Sequence, residues 1–150
     1  MFPASASATD PVVAVAGDVQ VGANLNILNP VATSNLALSM NPDAAWLAGD
    51  EADDATMAEY NTYPQHWGRL GSKLDVVAGN HDALNMANYV NYFGSVGMPL
   101  PRATDVGSWR AYFLDSDAPL GVGSPTYNFV RDDLAAHAGR PIVAMWHHPL

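Results

Sequence analysis

The sequence predicts an α/β domain built on parallel strand pairing with right-handed crossovers. Three observations carry that prediction. Five short apolar runs are separated by segments with helical spacing. Three of those runs end on glycine followed at once by an oxygen-bearing side chain. The chain has 150 residues, about one domain's worth, and no cysteine, so it must fold without a disulfide or a thiolate-bound metal. The absence of cysteine excludes a thiol nucleophile and leaves export open.

Taken in order, PVVAVAG (Pro11–Gly17) is a β-branched run expected to form a strand buried on both faces. Asn24 to Met40 has mixed helical spacing, with Pro30 expected to break or begin a helix. AAWLAG (Ala44–Gly49) is a second strand. Asp54 to Gly71, with Met57, Tyr60, Trp67 and Leu70, is read as helical. LDVVAG (Leu74–Gly79) is a third strand. Asn85 to Phe93 spaces Met86, Tyr89, Val90 and Phe93 by three and four, as a helix requires. Gly94–Gly107 and Ala118–Ser124, rich in Gly and Pro, read as loops. SWRAYFLD (Ser108–Asp115) alternates, so one face of that strand is expected to be less buried. Pro125 to Ala138 is helical, with Gly139 as its stop and Pro141 beyond. PIVAMWHH (Pro141–His148) is the fifth strand.

Residues 11–150 read as one unit with no repeat or linker, and residues 1–10 (MFPASASATD) as a disordered N-terminal segment. That segment lacks the basic stretch and apolar core of a signal peptide. A remnant left after leader removal and a flexible start both fit it.

Fifteen acids face six bases, a net charge of −9, and Lys73 is the single lysine. No cationic stripe is available for a phosphate backbone, which argues against a nucleic-acid-binding groove. Anionic membranes are disfavoured for the same reason, and no apolar run approaches the ~18 residues of a membrane span. The carboxylate excess leaves room for a cation site. The oligomeric state is not indicated.

The strand ends carry the chemistry. VAVAGD ends on Asp18, WLAGD on Asp50, and DVVAGN on Asn80, followed by His81 and Asp82. In open α/β sheets the carboxyl ends of parallel strands line the ligand crevice. Glycine lets the backbone turn sharply there, so the next side chain projects inward. Asp18, Asp50 and Asn80 are thus expected to converge, joined by His147 and His148 from the fifth strand. Two carboxylates meeting in a crevice repel, and a proton or a cation relieves them. Oxygen and imidazole donors without sulfur suit Mn, Fe or Zn. A single Gly-Asp is common in turns; three such ends in order, with a His pair, are not.

These residues resemble the calcineurin-like metallophosphoesterases, in a bacterial branch related to purple acid phosphatases and alkaline-phosphatase-like phosphoesterases. The likeness runs through GDVQ (Gly17–Gln20), LAGDEADD (Leu47–Asp54), AGNHD (Ala78–Asp82) and WHHPL (Trp146–Leu150). It extends to Tyr63–Leu70, Tyr89–Gly94, Tyr112–Asp117 and Ser124–Ala135. The resemblance implies a β-sandwich flanked by helices, four layers α/β/β/α, here incomplete. It implies hydrolysis of a small-molecule phosphate ester by a metal-activated water at a dinuclear site, with two divalent or trivalent ions (Fe, Mn or Zn). On it, Asp18 binds the first metal, Asp50 bridges both, and Asn80 and His147 bind the second. His81 contacts the phosphate and protonates the leaving oxygen, and Asp82 orients His81.

Three departures stand against the family pattern. Gln20 occupies a position where many relatives have histidine. Asp53 stands where purple acid phosphatases carry an iron-binding tyrosine, and is read as a solvated acid. The final GHxH motif falls beyond Leu150, so residues 11–150 are read as the N-terminal portion of a catalytic domain, weakly active or inactive alone. The alternative is a non-catalytic binding module on the same fold. A nucleotide-binding reading is weak, because no GxGxxG or GxxxxGK[ST] follows the first strand. Trp67, Gly68 and Arg69 are expected to pack below the site, and His66 and His137 to lie on the surface. His148 is open between substrate contact and a structural hydrogen bond.

Overall fold

In the computed structural model, which describes residues 10–20 and 30–149, the first three apolar runs form one parallel sheet. Its strands are β1 (Val13–Ala16), β2 (Ala44–Ala48) and β3 (Leu74–Val77), in that order. Val13 lies opposite Ala44, and Ala45 opposite Leu74. The expectation for residues 1–10 lies outside the described residues except at Asp10, as does the expected helix before Pro30.

The period of two along a strand sorts side chains to two cores. Ala45, Leu47 and Val76 join a cluster with Tyr63, Trp67 and Tyr89. Trp46 and Val77 point the other way and pack with Val106, Ala111, Phe113 and Met145. Central β2 is buried as expected, but β1 is not. It is an edge strand of this sheet, and its Val15 is 61% exposed.

The second sheet adds one antiparallel pair to the parallel pairing expected. It orders β4 (Arg102–Val106), β5 (Trp109–Phe113) and β6 (Ile142–Met145), with β4–β5 antiparallel and β5–β6 parallel. Strand β4 lies inside the stretch read as a loop. The reason is local: Val106 pairs with Trp109, so Gly107-Ser108 is a two-residue hairpin turn, with Gly107 at φ 56°. The two sheets share the second cluster, where Trp46 meets Phe113 edge-on at 5.5 Å. Such a pair adds about 1 kcal/mol beyond its burial. Arg102 of β4 reaches the Val76 carbonyl and the Asp75 carboxylate, and its guanidinium stacks 4.4 Å over Phe113.

The helices follow their caps. Helix α1 (Pro30–Ser39) opens on proline, whose missing N–H costs nothing at that position. A second correction concerns residues 54–71, which do not form one helix. A single capped turn, α2 (Met57–Tyr60), is closed by a Thr56–Glu59 capping box. Two 3₁₀ stretches follow, Tyr63–Gln65 and Trp67–Lys73, the second broken at Gly71 with φ 58°. Helix α3 (Met86–Phe93) is capped by Asn85, and α4 (Pro125–Ala136) by Ser124. His66, expected on the surface, is buried against Tyr63. Among the described residues, no helix is long and apolar enough to cross a membrane.

Candidate metal centre

Each strand of the first sheet delivers one polar side chain through the same local device. After β1, Gly17 leads to Asp18 at φ 51°; after β2, Gly49 leads to Asp50 at φ 56°. Aspartate is among the few non-glycine residues that tolerate this left-handed region, at a cost of order 1–3 kcal/mol that surrounding contacts must offset. One of those contacts joins the two turns, since the Asp18 N–H donates to the Gly49 carbonyl at 3.1 Å. After β3, Ala78-Gly79 leads to Asn80.

Glycine at 49 has a second reason. A Cβ there would sit 2.5–2.8 Å from the His147 side chain, closer than real contacts allow. His147 fills that space, and its Nδ1–H donates to the Ala48 carbonyl at 2.8 Å. The carbonyl carries no proton, so the neutral ring keeps its N–H at Nδ1 and its lone pair at Nε2. That Nε2 stands 3.1 Å from Asn80 Oδ1 and 3.5 Å from Asp50 Oδ1.

The structure therefore brings Asp18, Asp50, Asn80 and His147 together. Asp18, Asp50 and His147 each offer a ligand atom, all within 4.8 Å of one another, from an exposed, a buried and a half-buried residue. Two carboxylates that close repel by about 3 kcal/mol at an effective dielectric of about 20. Donor atoms on one ion with bonds of about 2.1 Å lie about 3.0 Å apart at right angles and about 3.4 Å apart in a tetrahedron. The contacts around His147 Nε2 match those edges, so the donor set fits a cation. Gln20 takes up part of it: its Nε2–H donates to Asp50 Oδ2 at 3.2 Å.

His81 lies beside this group. Its backbone N–H donates to Asp50 Oδ1 at 3.0 Å, and its Nδ1 bonds the Asp53 carbonyl at 2.6 Å. That backbone bond raises the His81 pKa above the ordinary imidazole value. Burial opposes the shift, and the charges of Asp50, Asp53 and Asp82 add to it. The Asp53 carboxylate stands 3.5 Å from the same nitrogen, and its side chain is 31% exposed.

Asp82 does not have the role the sequence suggested. It is fully buried, and its carboxylate faces away from the imidazole to accept from Gly79 N at 3.0 Å, Glu51 N at 3.1 Å, Ala52 N at 3.3 Å and Tyr60 Oη at 2.9 Å. It locks the turn after β2 to the turn after β3. Asp82 therefore positions the loops that carry Asp50 and Asn80 rather than the His81 ring.

Glu51 was missed by sequence reasoning. It is fully buried beside the Asp82 carboxylate, and no donor reaches its carboxyl oxygens. Burial, and then the Asp82 charge, push its pKa well up, in the direction that favours the neutral form. Within the run GDEADD nothing distinguishes a buried acid from a solvated one. Arg69 donates to Asn35 Oδ1, Ser34 Oγ and the Val31 carbonyl of α1. His137 bonds the Asp133 carbonyl on α4.

No protein-family model matches the chain, and no curated protein matches it. Among solved structures, the chain is similar to a purple acid phosphatase from yellow lupin (Lupinus luteus) seeds, at 14% identity and a TM-score of 0.60. The match covers 84% of this chain and 28% of the lupin chain, so the chain spans less than a third of that structure. The likeness shows the fold: a mixed α/β architecture of two small sheets and helices, consistent with part of the metallophosphoesterase fold.

Proposed function

We propose that this chain is a metal-dependent phosphoesterase of the calcineurin-like type, acting on a small phosphate ester. The observation that supports it is the convergence of Asp18, Asp50 and His147 within 4.8 Å, with Asn80 on the same imidazole nitrogen. On this reading Asp18 would hold one ion, Asp50 would be shared between two, and Asn80 and His147 would hold the second. Fe, Mn and Zn all suit such donors. When bound, the ions supply charge neutralisation at the phosphoryl group and a water acidified to a pKa near about 7.

The chain's own residues do the rest. Asp82 fixes the two turns so that Asp50 and Asn80 present their oxygens together. His81, charged more readily than a free imidazole, would serve as a proton donor to a leaving oxygen. Acid–base help of that kind contributes about 10²–10⁴-fold, far short of what phosphate ester hydrolysis needs, so the cations carry the larger share. The two sheets sharing a core, with helices beside them, fit part of the four-layer sandwich that this reading requires.

The test is metal binding by calorimetry with Mn²⁺ and Zn²⁺, paired with turnover of an aryl phosphate. Binding that falls at least about 10-fold in Asp50→Asn and His147→Ala supports the proposal, as does turnover lost in the same variants. Affinity unchanged in both contradicts it. One observation favours a second reading, a non-catalytic binding module: Gln20 spends an amide N–H on Asp50 Oδ2, an oxygen a cation would need. Metal binding without turnover, unaffected by Gln20→His, selects that reading.

A further inference from the structure

We propose that the site selects phosphate monoesters whose leaving group carries a positive charge, as an amino-alcohol phosphate does, over esters that carry a second anion. The proposal rests on the phosphoesterase reading above. Its basis is where the charges stand. The chain has six cationic side chains, and each is engaged by a partner outside the group formed by Asp18, Asp50, Asn80 and His147. Arg69 donates to Asn35 of α1 at 2.7 Å, and Lys73 to the Pro42 carbonyl at 2.6 Å. Arg102 pairs with Asp75 and Arg131 with Asp132, while Arg110 and Arg140 both pair with Asp105.

Acids stand beside the site instead. Two histidines adjoin the converging oxygens: the His81 N–H donates to Asp50 Oδ1 at 3.0 Å, and His148 Nε2 lies 2.9 Å from Asn80 Oδ1. Each imidazole has a carboxylate next to it. Asp53 Oδ1 is 3.5 Å from His81 Nδ1, and Asp117 Oδ1 is 3.3 Å from His148 Nδ1. These carboxylate side chains are 31% and 46% exposed, so a bound molecule can feel both. A carboxylate or second phosphate on the leaving group meets repulsion there, with no guanidinium fork to receive it. An ammonium group meets attraction. An exposed ion pair shifts an equilibrium about 2- to 5-fold, so two carboxylates together give a preference of about 10-fold. The competing arrangement is one in which protonated His81 and His148 cancel the two acids and leave the rim indifferent to charge.

The test uses the 150-residue chain with Mn²⁺ kept below the chain's concentration. Phosphoethanolamine, propyl phosphate and phosphoglycolate serve as cationic, neutral and anionic probes. Affinity is read from the broadening of each probe's phosphorus resonance by the bound Mn²⁺. Phosphoethanolamine is expected to bind about 10-fold tighter than propyl phosphate, and phosphoglycolate about 10-fold weaker. Asp53→Asn and Asp117→Asn are each expected to narrow that spread about 2- to 5-fold with circular dichroism unchanged, and added salt to narrow it further. Equal affinity for the three probes, or the reverse order, overturns the proposal and leaves the metal site standing. A spread that neither variant changes overturns it as well. Mn²⁺ that fails to bind, binds equally in Asp50→Asn, or broadens none of the probes overturns the phosphoesterase reading and this proposal with it.

Discussion

Gly79 and Asp50 compete for the same space. A Cβ on Gly79 would fall onto the Asp50 carboxylate oxygen and backbone nitrogen, 2.9 Å from its Cγ. The bare backbone at Gly79 is what lets Asp50 lie across the end of β3 while its Oδ1 accepts the His81 N–H. Gly79→Ala is therefore expected to cost about 1–3 kcal/mol, since the turn must shift to admit the methyl. The same shift moves Asp50, so cation affinity should fall at least about 10-fold. Urea unfolding and calorimetry read the two effects, and a parent-like Gly79→Ala in both would contradict the packing described.

Asp82 ties together the turns after β2 and β3. Asp82→Ala leaves the N–H groups of Gly79, Glu51 and Ala52 without their buried acceptor. Each orphaned group costs about 1–3 kcal/mol, so a loss of at least about 3 kcal/mol is expected. A loss below about 1 kcal/mol in denaturant unfolding would mean that the carboxylate is not the tie.

Glu51 makes stability depend on pH in a definite direction. Its pKa is raised in the folded chain by burial, then by Asp82, so the folded state retains a proton that the unfolded state releases above about pH 4.3. Its contribution is fully present below that pH and is lost as pH rises toward the folded value, at up to about 1.4 kcal/mol per pH unit. Glu51→Gln removes the titration. The variant should therefore gain on the parent between pH 5 and pH 8, by chemical unfolding. An equal difference at both pH values would show that Glu51 is not held neutral.

Asp133 does the reverse at the other end of the molecule. Its carboxylate on α4 takes two N–H donors from Arg110 at 2.7 and 2.9 Å and the Tyr112 hydroxyl at 2.8 Å. The Arg110 guanidinium, first among these, holds the pKa down to about 2. The stabilisation is present above about pH 4 and is lost as pH falls through about 2. Asp133→Asn should cost about 2 kcal/mol at pH 7 and much less near pH 2. A cost independent of pH would point to packing rather than charge.

Much of this was legible in the residues. The three glycine-terminated strand ends and the His pair group Asp18, Asp50, Asn80 and His147 from the residues alone. Composition hid β4, because Gly107-Ser108 marks a hairpin turn and a loop equally well. Pro64 and Gly71 let a helical spacing survive in residues 54–71 where no continuous helix forms. The partners of Asp82 could not be read, because they are backbone N–H groups on a turn that is distant in sequence. Glu51 was hidden for a related reason: in an acidic run, only packing decides which acid is sealed from water.

On the proposed reading, four separate strand ends build one cation pocket. Crystals of the chain grown with Mn²⁺, measured for anomalous scattering at the manganese edge, test it most directly. A peak bonded to Asp50 Oδ1 and His147 Nε2, with Asn80 at the same ion, is expected. A well-ordered Asp50 and His147 in direct contact at saturating Mn²⁺, with no peak between them, would contradict it.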